Sequence, residues 1–320
     1  MGKIAFVFPG QGSQKPGMGQ AFYQASAAVR GLFDQANEIL GFDLGALCFN
    51  GPEDVLRSTE NAQPALYVVS VAAAMVLKDE ARVLPESAAG HSVGEYAALT
   101  VAGVLDFGDG VSLVRKRAEL MRDAALASPG TMLAVLGLNE LAVRDICRTA
   151  QKDGGVAAVA NVNGAGQIVI SGTVDAMERA SGLAKEAGAR KVIPLAVSGP
   201  FHSPLMVTAG DALFHVLAET PLRKPGIPIV CNVTAEYFDS PADVMAGLTR
   251  QVSGSVLWEQ SVQKLIGDGC DTFVEAGCGE VLCGLIRRID KSCRTFSVQS
   301  PEDAHVVAAK LHESTEQAVC

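Results

Sequence analysis

The stretch Ala89-Gly90-His91-Ser92-Val93-Gly94-Glu95 carries the most informative motif of this chain. Small and apolar residues lead into it, and the helix-forming run 95–99 follows it. A G-x-S-x-G pattern between a strand and a helix forms a sharp turn that lifts the serine hydroxyl clear of the sheet. The start of the helix favours a negative charge that develops beside the serine. The stretch therefore predicts an α/β fold in which Ser92 is a nucleophile.

Composition and charge narrow the choice of partners. The 320 residues are 48% apolar and carry a net charge of -9. That length fits one large domain or two, and the charge argues against nucleic acid or an anionic membrane as the main partner. We recognise no signal peptide, and no apolar run is long enough to span a bilayer. We therefore expect a cytoplasmic protein.

The cysteines show no metal-binding pattern. The chain has eight cysteines and no CxxC pair. The closest two, Cys278 and Cys283, have neither the spacing nor the nearby histidine of a zinc site. We expect free thiols in a reducing compartment, and no metal or other cofactor.

Hydrophobic periodicity predicts alternating strands and helices on both sides of Ser92. Between residues 131 and 197 the predicted order is strand, helix, strand, strand, helix, strand, which is the order of a ferredoxin-like unit. This unit would be an insertion if the main sheet resumes after it. The predicted helices span 21–40, 63–79, 111–125, 140–151, 174–187 and 245–251, and the predicted strands span 4–8, 131–138, 156–162, 167–171, 190–197, 227–232 and 271–275.

A glycine-rich loop, 9–19, follows the first predicted strand. It lacks the Gly-Lys-Ser/Thr ending of a phosphate-binding loop and the G-x-G-x-x-G spacing of a dinucleotide site. Its backbone N–H groups would still lie at the carboxyl edge of the sheet, where open α/β sheets place their sites. A plain turn is the competing interpretation.

One arginine lies on the apolar side of the helix predicted over 111–125, with Asp109 as its cap. Arg117 falls between Leu113 and Leu120, one turn away in either direction. Such an arginine either extends to water or is buried against a negative partner. We expect a buried, partnered Arg117, and no carboxylate of the chain stands out as the partner. A ligand carboxylate is one option, because a guanidinium can bind it with two parallel hydrogen bonds.

His202 is the best candidate for a base that activates Ser92. It precedes Ser203 and Pro204, which suit the cap and the first position of a helix. A histidine on that loop is free to aim its ring, although an ordinary loop histidine is the competing interpretation. His91 is adjacent to Ser92, but consecutive side chains diverge there.

The Ser92 turn, the glycine-rich loop, the helix with Arg117 and the loop with His202 together resemble the malonyl-CoA:acyl carrier protein transacylase family. Further matching segments extend the resemblance over nearly the whole chain. The resemblance implies an α/β-hydrolase-like larger subdomain, 1–127 and 199–320, with an inserted ferredoxin-like subdomain, 128–198. The matching segments, in the order of the family, are FPGQGSQ (8–14), PGMG (16–19), NAQPAL (61–66), GHSVGEYAAL (90–99), RKRAELM (115–121), ANVNGAGQIVISG (160–172), GPFHSPLM (199–206) and the region 251–258.

The resemblance also implies roles for the residues that match its motifs. Ser92 would be the acylated nucleophile and His202 its general base and acid. The backbone N–H groups of Gln11 and Val93 would form the oxyanion hole. The backbone carbonyl of Gln251 would orient the histidine, so the site would be a dyad without a carboxylate.

The remaining matches concern the acyl group. Arg117 would hold the free carboxylate of malonate. Phe201 is typical of members that prefer malonyl, because its bulk would crowd an α-methyl group. Gln63 and Asn161 fall in shared motifs and would support the wall of the site.

The implied partners are malonyl-CoA and an acyl carrier protein, in fatty acid or polyketide synthesis. Because carrier proteins of this family are acidic and this chain is acidic too, docking would need a local basic patch. Its candidates are Arg190, Lys191, Arg287 and Arg288. A solvated charged surface is the competing interpretation.

Two other function classes remain open at this point. A serine hydrolase, such as a thioesterase or lipase, would use the same Ser92 turn, but it needs an acidic third member that we cannot place. A non-catalytic acyl-binding component would keep the fold without turnover, which the presence of Ser92, His202 and Arg117 argues against.

Overall fold

The computed structural model describes residues 2–317, and within them the chain forms a mixed α/β fold with two separate sheets. The strands are β1 (Lys3–Phe8), β2 (Ser87–Gly90), β3 (Thr131–Leu136), β4 (Ala157–Gly164), β5 (Gln167–Gly172), β6 (Lys191–Pro194), β7 (Cys270–Ala276) and β8 (Arg294–Val298). The helices are α1 (Gln20–Ala25), α2 (Ala27–Leu40), α3 (Leu44–Asn50), α4 (Glu53–Arg57), α5 (Thr59–Met75), α6 (Gly94–Val101), α7 (Phe107–Ala127), α8 (Glu140–Ala150), α9 (Val174–Glu186), α10 (Val207–Glu219), α11 (Pro241–Gln251), α12 (Trp258–Gly267), α13 (Val281–Ile289) and α14 (Pro301–Gln317). A π-helical turn, Val76–Glu80, and two 3₁₀ turns, Lys152–Gly154 and Pro204–Met206, complete the regular structure.

The first sheet is parallel and has the strand order β2-β1-β7-β8. Strands β2 and β7 and most of β1 are buried, and Ala5, Phe6, Val7 and Phe8 of β1 have no exposed surface, whereas the edge strand β8 is only partly buried. A parallel sheet covered on both faces reads as a continuous apolar run, which is why 4–8 was recognisable as a strand. The carboxyl ends of β1 and β2 carry the glycine-rich loop and the Ser92 turn.

The second sheet is antiparallel and has the strand order β4-β5-β3-β6. All its elements come from residues 131–194, between β2 and β7 of the first sheet. They occur in the predicted order of strand, helix, strand, strand, helix, strand. Helices α8 and α9 pack against this sheet and enclose a separate apolar core that includes Val135, Val143, Ile170 and Ala180.

Helix α7 begins earlier than the sequence predicted. Asp106, rather than Asp109, is its N-cap residue, and Phe107 is its first residue. The Tyr67 hydroxyl donates a hydrogen bond to the Phe107 carbonyl, at 3.2 Å. Gly110 lies so close to that hydroxyl that a Cβ there would be 2.0 Å from it. Packing against α5 therefore holds a first turn that two glycines would otherwise weaken.

Two further predictions were wrong. The single helix predicted over 21–40 is broken at Ser26, whose backbone is extended (φ -117°, ψ 125°) and which is the N-cap residue of α2. The strand predicted over 227–232 has only isolated bridges, at Ile229 and Val230. Pro228 has no N–H to donate to a ladder, and the chain turns back at once to pair with Tyr237.

No helix within residues 2–317 is long and apolar enough to cross a membrane.

Candidate active site

Ser92 lies on the turn between β2 and α6, with a φ of 53°. Such a φ is costly for a residue with a side chain and is typical of an exposed nucleophile. The two glycines of the motif allow the turn because it is crowded on both sides. A Cβ at Gly90 would lie 2.0 Å from the carbonyl carbon of Gly94, and one at Gly94 would lie 2.1 Å from the carbonyl oxygen of Phe8.

A hydrogen-bonded chain links Ser92, His202 and Gln251. Ser92 Oγ is 2.8 Å from His202 Nε2, and His202 Nδ1 is 2.8 Å from the backbone oxygen of Gln251. A carbonyl oxygen can only accept, so Nδ1 carries the proton and Nε2 is free to accept the proton of Ser92. The neutral ring is therefore in the tautomer that a general base needs.

His202 follows Pro200 and Phe201 and precedes the 3₁₀ turn Pro204–Met206. Ser203 stands at the predicted cap position, but its hydroxyl donates to the carbonyl of Pro200, at 2.6 Å, and accepts no N–H group of the turn. His202 itself has a φ of 56°. The local backbone is thus bent so that the ring is buried and points at Ser92.

Arg117 is buried in α7, with 1% of its surface exposed. Its guanidinium donates to the side-chain oxygens of Gln63 and Gln251 and to Ser92 Oγ, the last two at 2.8 and 3.0 Å. It also lies over the ring of Tyr96. Its partners are thus neutral oxygens, and no carboxylate of the described residues contacts it. A buried cation with neutral partners, 3.0 Å from a nucleophile, favours a ligand that brings its own negative charge.

The site shifts the pKa of its own titratable groups. Burial, followed by the positive charge of Arg117, lowers the pKa of His202 to about 3. Burial also lowers the pKa of Arg117, and Glu95 opposes that shift through its negative charge. His202 is therefore neutral at pH 7 and can accept a proton without first losing one.

The predicted catalytic, oxyanion-hole and substrate-binding residues all line one cavity of about 90 Å³. It lies between the carboxyl edge of the first sheet and residues of the second sheet, and a neighbouring cavity of about 270 Å³ shares Gln11, His91 and Asn161 with it. Gln251 is fully buried behind its wall. The lining includes Gln11, Gln63, Ser92, Val93, Arg117, Asn161, Phe201 and His202, together with Met121, Met132, Leu195 and Val197.

Gln11 and Val93 line this cavity, and within residues 2–317 their backbone N–H groups have no protein acceptor. The Gln11 side chain is held aside by Thr59, at 3.2 Å. The glycine-rich loop approaches the serine turn closely, since a Cβ at Gly10 would lie 2.7 Å from the carbonyl of His91. Free N–H groups at such a point can stabilise an oxyanion.

The four basic docking candidates lie outside this cavity and are exposed. Arg287 donates to Thr295 and Arg288 to Gln167 on the second sheet, at 3.1 and 3.2 Å. Lys191 lies on β6, and Arg190 directly precedes that strand.

Two buried polar residues of the site, Glu95 and Asn232, were not predicted from the sequence. Glu95 accepts hydrogen bonds from the backbone N–H of Asn232, at 2.6 Å, and from the side chain of Gln251. Asn232 accepts the backbone N–H of Ser92, at 2.8 Å. Glu95 is the last residue of the stretch 89–95 and lies on the inner side of helix α6. A carboxylate at that position is a signal from which its place in the site could have been predicted. Asn232 had none, because only the fold brings it to Ser92.

No group of three or more His, Cys, Asp or Glu side chains in the described part of the chain could hold a metal ion.

A serine hydroxyl bonded to a neutral histidine beside free N–H donors is the arrangement of enzymes that form an acyl ester on serine. The family model described as an acyl transferase domain matches residues 5–317. The chain therefore belongs to the acyl transferase family.

Individual relatives cover almost the whole chain. The chain is 43% identical to a malonyl CoA-acyl carrier protein transacylase of Bacillus subtilis, over 99% of this chain and 100% of that protein. Among solved structures, an acyl carrier protein S-malonyltransferase from Vibrio cholerae matches with a TM-score of 0.92 and 41% identity, over 95% of this chain and 99% of that one. A malonyl-transacylase solved in complex with a type II PKS acyl-carrier protein matches with a TM-score of 0.93 and 37% identity, over 96% and 99%.

Proposed function

We propose that this chain transfers a malonyl group from malonyl-CoA to the phosphopantetheine thiol of an acyl carrier protein, through an ester on Ser92. The observation that carries the proposal is the buried Arg117, whose guanidinium lies 3.0 Å from Ser92 Oγ. A cation at that distance can hold the free carboxylate of a malonyl group while its carbonyl carbon meets the serine. The malonyl transacylases among the relatives support the same substrate.

Acylation begins when Ser92 Oγ attacks the thioester carbonyl carbon and its proton passes to His202 Nε2. The backbone N–H groups of Gln11 and Val93 stabilise the oxyanion of the tetrahedral intermediate, and loss of one such donor typically costs about 3 kcal/mol. The C–S bond then breaks, and the CoA sulfur takes the proton from His202. In the second half, the carrier thiol gives its proton to His202 and attacks the ester, and Ser92 Oγ recovers that proton on leaving.

His202 needs no carboxylate in this scheme. The backbone carbonyl of Gln251 holds Nδ1–H at 2.8 Å and fixes the ring. The buried carboxylate of Glu95 contacts Asn232 and Gln251 rather than His202. A dyad with a backbone carbonyl therefore serves in place of a triad.

The shape of the cavity favours a small, carboxylate-bearing acyl group. Phe201 is 5% exposed and lines the cavity, where its ring would meet an α-methyl substituent. Gln63 contacts Arg117 through its side-chain oxygen and so supports the guanidinium. Asn161 lines both cavities and supports the wall between them.

We propose two subdomains: an α/β-hydrolase-like part, 1–127 and 199–320, and a ferredoxin-like part, 128–198. The strand order β4-β5-β3-β6 and the two helices packed on that sheet support the second part. Residue 1 and residues 318–320 lie outside the described residues. The cleft between the two parts would hold the substrate arm.

Arg190, Lys191, Arg287 and Arg288 are the proposed docking patch for an acidic carrier. Arg288 reaches Gln167, which is paired with Leu136, and Leu136 is paired in turn with Lys191. The basic groups of the two parts thus lie near one row of the second sheet. Gln167 also lines the larger cavity, so a carrier docked there would be next to that cavity.

We place this reaction in the cytoplasm and in fatty acid or polyketide synthesis. The seven cysteines within residues 2–317 are free and buried, as in a reducing compartment, and the eighth, Cys320, lies outside the described residues. The relatives include a malonyl-transacylase in complex with a type II PKS carrier, which keeps both pathways in the proposal.

Intact mass spectrometry tests the reaction directly. The protein is mixed with malonyl-CoA, with and without a carrier protein, beside a Ser92→Ala control. We expect a malonyl adduct on the wild type only, which the carrier removes while becoming acylated itself. CoA release without transfer would instead indicate a hydrolase, and neither adduct nor CoA release would indicate a binding protein.

A further inference from the structure

Glu95 is a buried carboxylate in the first turn of α6, three residues after the nucleophile. It has no exposed surface, and burial raises its pKa to about 8 against the effect of its hydrogen bonds and of Arg117. Both of its oxygens accept an N–H group: Oε1 from the backbone of Asn232, at 2.6 Å, and Oε2 from Gln251 Nε2. Each oxygen thus accepts one N–H group, and the carboxyl group serves as a hydrogen-bond acceptor toward both partners.

Glu95 determines which way the amide of Gln251 faces. The two hydrogens of Gln251 Nε2 go to Glu95 and to the backbone oxygen of Ser92, the latter at 2.9 Å. Gln251 Oε1 is therefore turned toward Arg117, whose Nη2 donates to it at 2.8 Å. The flipped amide would set an N–H group against Arg117 and an oxygen against two acceptors, so only one orientation is satisfied.

Glu95 also fixes Asn232, whose side chain is hydrogen-bonded to both sides of the Ser92 turn. Its Oε1 fixes the backbone of Asn232, whose side chain donates to the Gly90 carbonyl, at 2.7 Å, and accepts the Ser92 N–H, at 2.8 Å. The Asn232 amide thus bridges the two sides of the strained turn. One carboxylate contacts the supports of both the nucleophile and the guanidinium.

We propose that Glu95 is a positioning residue that sets the preference for malonyl over uncharged acyl groups, by orienting Gln251 so that it holds Arg117 beside Ser92. The proposal rests on the proposed function, because it assigns the carboxylate of the substrate to Arg117. It gives the Gln251 side chain a role separate from that of its backbone carbonyl, which bonds His202.

A glutamine at position 95 cannot replace this acceptor. The Asn232 N–H is part of the backbone and cannot turn, so the new amide must present its oxygen there and its NH₂ to Gln251. Gln251 would then flip and point its own NH₂ at Arg117, where two donors would meet. A hydrogen bond to a charged group is lost, and the guanidinium moves away from its place beside Ser92.

The test compares Glu95→Gln with Glu275→Gln, a matched control. Glu275, on β7, is equally buried and bonds to the backbone N–H of Cys283, at 2.8 Å, with no contact to the site. Acylation rates with malonyl-CoA and acetyl-CoA give the malonyl-to-acetyl ratio for each protein. We expect the ratio to fall ~10- to 100-fold in Glu95→Gln and to stay at the wild-type value in Glu275→Gln.

The outcomes separate this proposal from the proposed function. A wild type that does not prefer malonyl-CoA refutes the assignment of Arg117 itself. A wild type that does prefer it, beside a folded Glu95→Gln variant with an unchanged ratio, refutes only the role of Glu95. A higher ratio refutes that role too, because it would mean that Glu95 merely offsets the charge of Arg117.

A second variant covers the case in which Glu95→Gln does not fold, as judged by its thermal melt. Gln251→Met keeps the length of the side chain and the backbone carbonyl that bonds His202, and it removes the amide that bonds Arg117. We expect the same fall in the ratio. A folded Gln251→Met protein with the wild-type ratio would overturn the proposal.

Discussion

Replacing Arg117 with alanine separates the recognition of the acyl carboxylate from the chemistry at Ser92. The guanidinium is buried, donates to Ser92 Oγ at 3.0 Å, and has only neutral hydrogen-bond partners among the described residues. The variant should therefore lose the attraction for malonyl while keeping Ser92 and His202. We expect a large loss of malonyl transfer and a small loss of acetyl transfer.

The size of the effect follows from Coulomb's law. Two unit charges about 4 Å apart attract by roughly 4 kcal/mol at an effective dielectric constant of 20. Water in the empty cavity weakens this attraction. We therefore expect Arg117→Ala to raise the activation free energy of malonyl transfer by about 3 to 4 kcal/mol, which lowers the malonyl rate roughly 10²- to 10³-fold. Acetyl carries no carboxylate. Its transfer loses only the contact of Arg117 with Ser92, and it gains a stronger base, because the charge of Arg117 lowers the pKa of His202.

The assay measures single-turnover CoA release from malonyl-CoA and from acetyl-CoA under identical conditions. Arg117→Met, which fills more of the vacated space, separates the lost charge from the cavity. Arg115→Ala is the matched control, because Arg115 lies on the same helix but donates to Glu119 and to the Glu60 carbonyl, away from the cavity. Equal losses on both acyl groups in the Arg117 variants would refute the carboxylate assignment.

Three further predictions concern the base, the acyl pocket and the carrier. Burial and Arg117 lower the pKa of His202 from 6.5 to about 3, so the unfolded chain binds a proton that the folded chain does not, and stability falls as the pH drops through that window. Between pH 7 and pH 4.5, the free energy of unfolding measured with urea should fall by about 2 to 3 kcal/mol less in His202→Gln than in the wild type. Equal falls in the two proteins would contradict this. Phe201→Leu should raise the methylmalonyl rate relative to the malonyl rate, measured by CoA release with malonyl-CoA as the internal control; an unchanged ratio would remove Phe201 from selectivity. Reversing Arg287 and Arg288 to glutamate should raise the KM for the carrier without slowing acylation by malonyl-CoA, whereas Arg148→Glu, an exposed control, should change neither. An unchanged KM would show that Arg287 and Arg288 do not take part in docking the carrier.

Much of the site could be predicted from short stretches. The glycines around Ser92 indicate a tight turn, and the turn is crowded enough that neither glycine tolerates a Cβ. Arg117 in an apolar arc predicted a buried cation, and it is buried. The order of elements between 131 and 194 also followed from periodicity. These features depend on steric and hydrophobic preferences that act within a few residues, so the sequence reports them directly.

The boundaries of the elements depended on packing. Helix α7 starts at Phe107 because Tyr67, forty residues earlier, bonds its first carbonyl. The segment near Ile229 forms only an isolated bridge with Ala88 and not a strand. Local propensity is weak compared with such contacts, which is why both predictions failed.

From the sequence alone we could predict Ser92 as the nucleophile, His202 as the histidine most suited to serve it, and a buried arginine, and Arg117 is buried. The hydrogen bonds that hold these groups in place come from distant parts of the chain and are visible only in the folded protein. Glu95 meets Gln251 and Asn232, which are 156 and 137 residues away, and Arg117 meets Gln251 at a separation of 134. Each glutamate in the chain can form the same hydrogen bonds as any other glutamate, and the same holds among the glutamines and among the asparagines. Burial in the folded chain is what gives each of these donors and acceptors its particular partner.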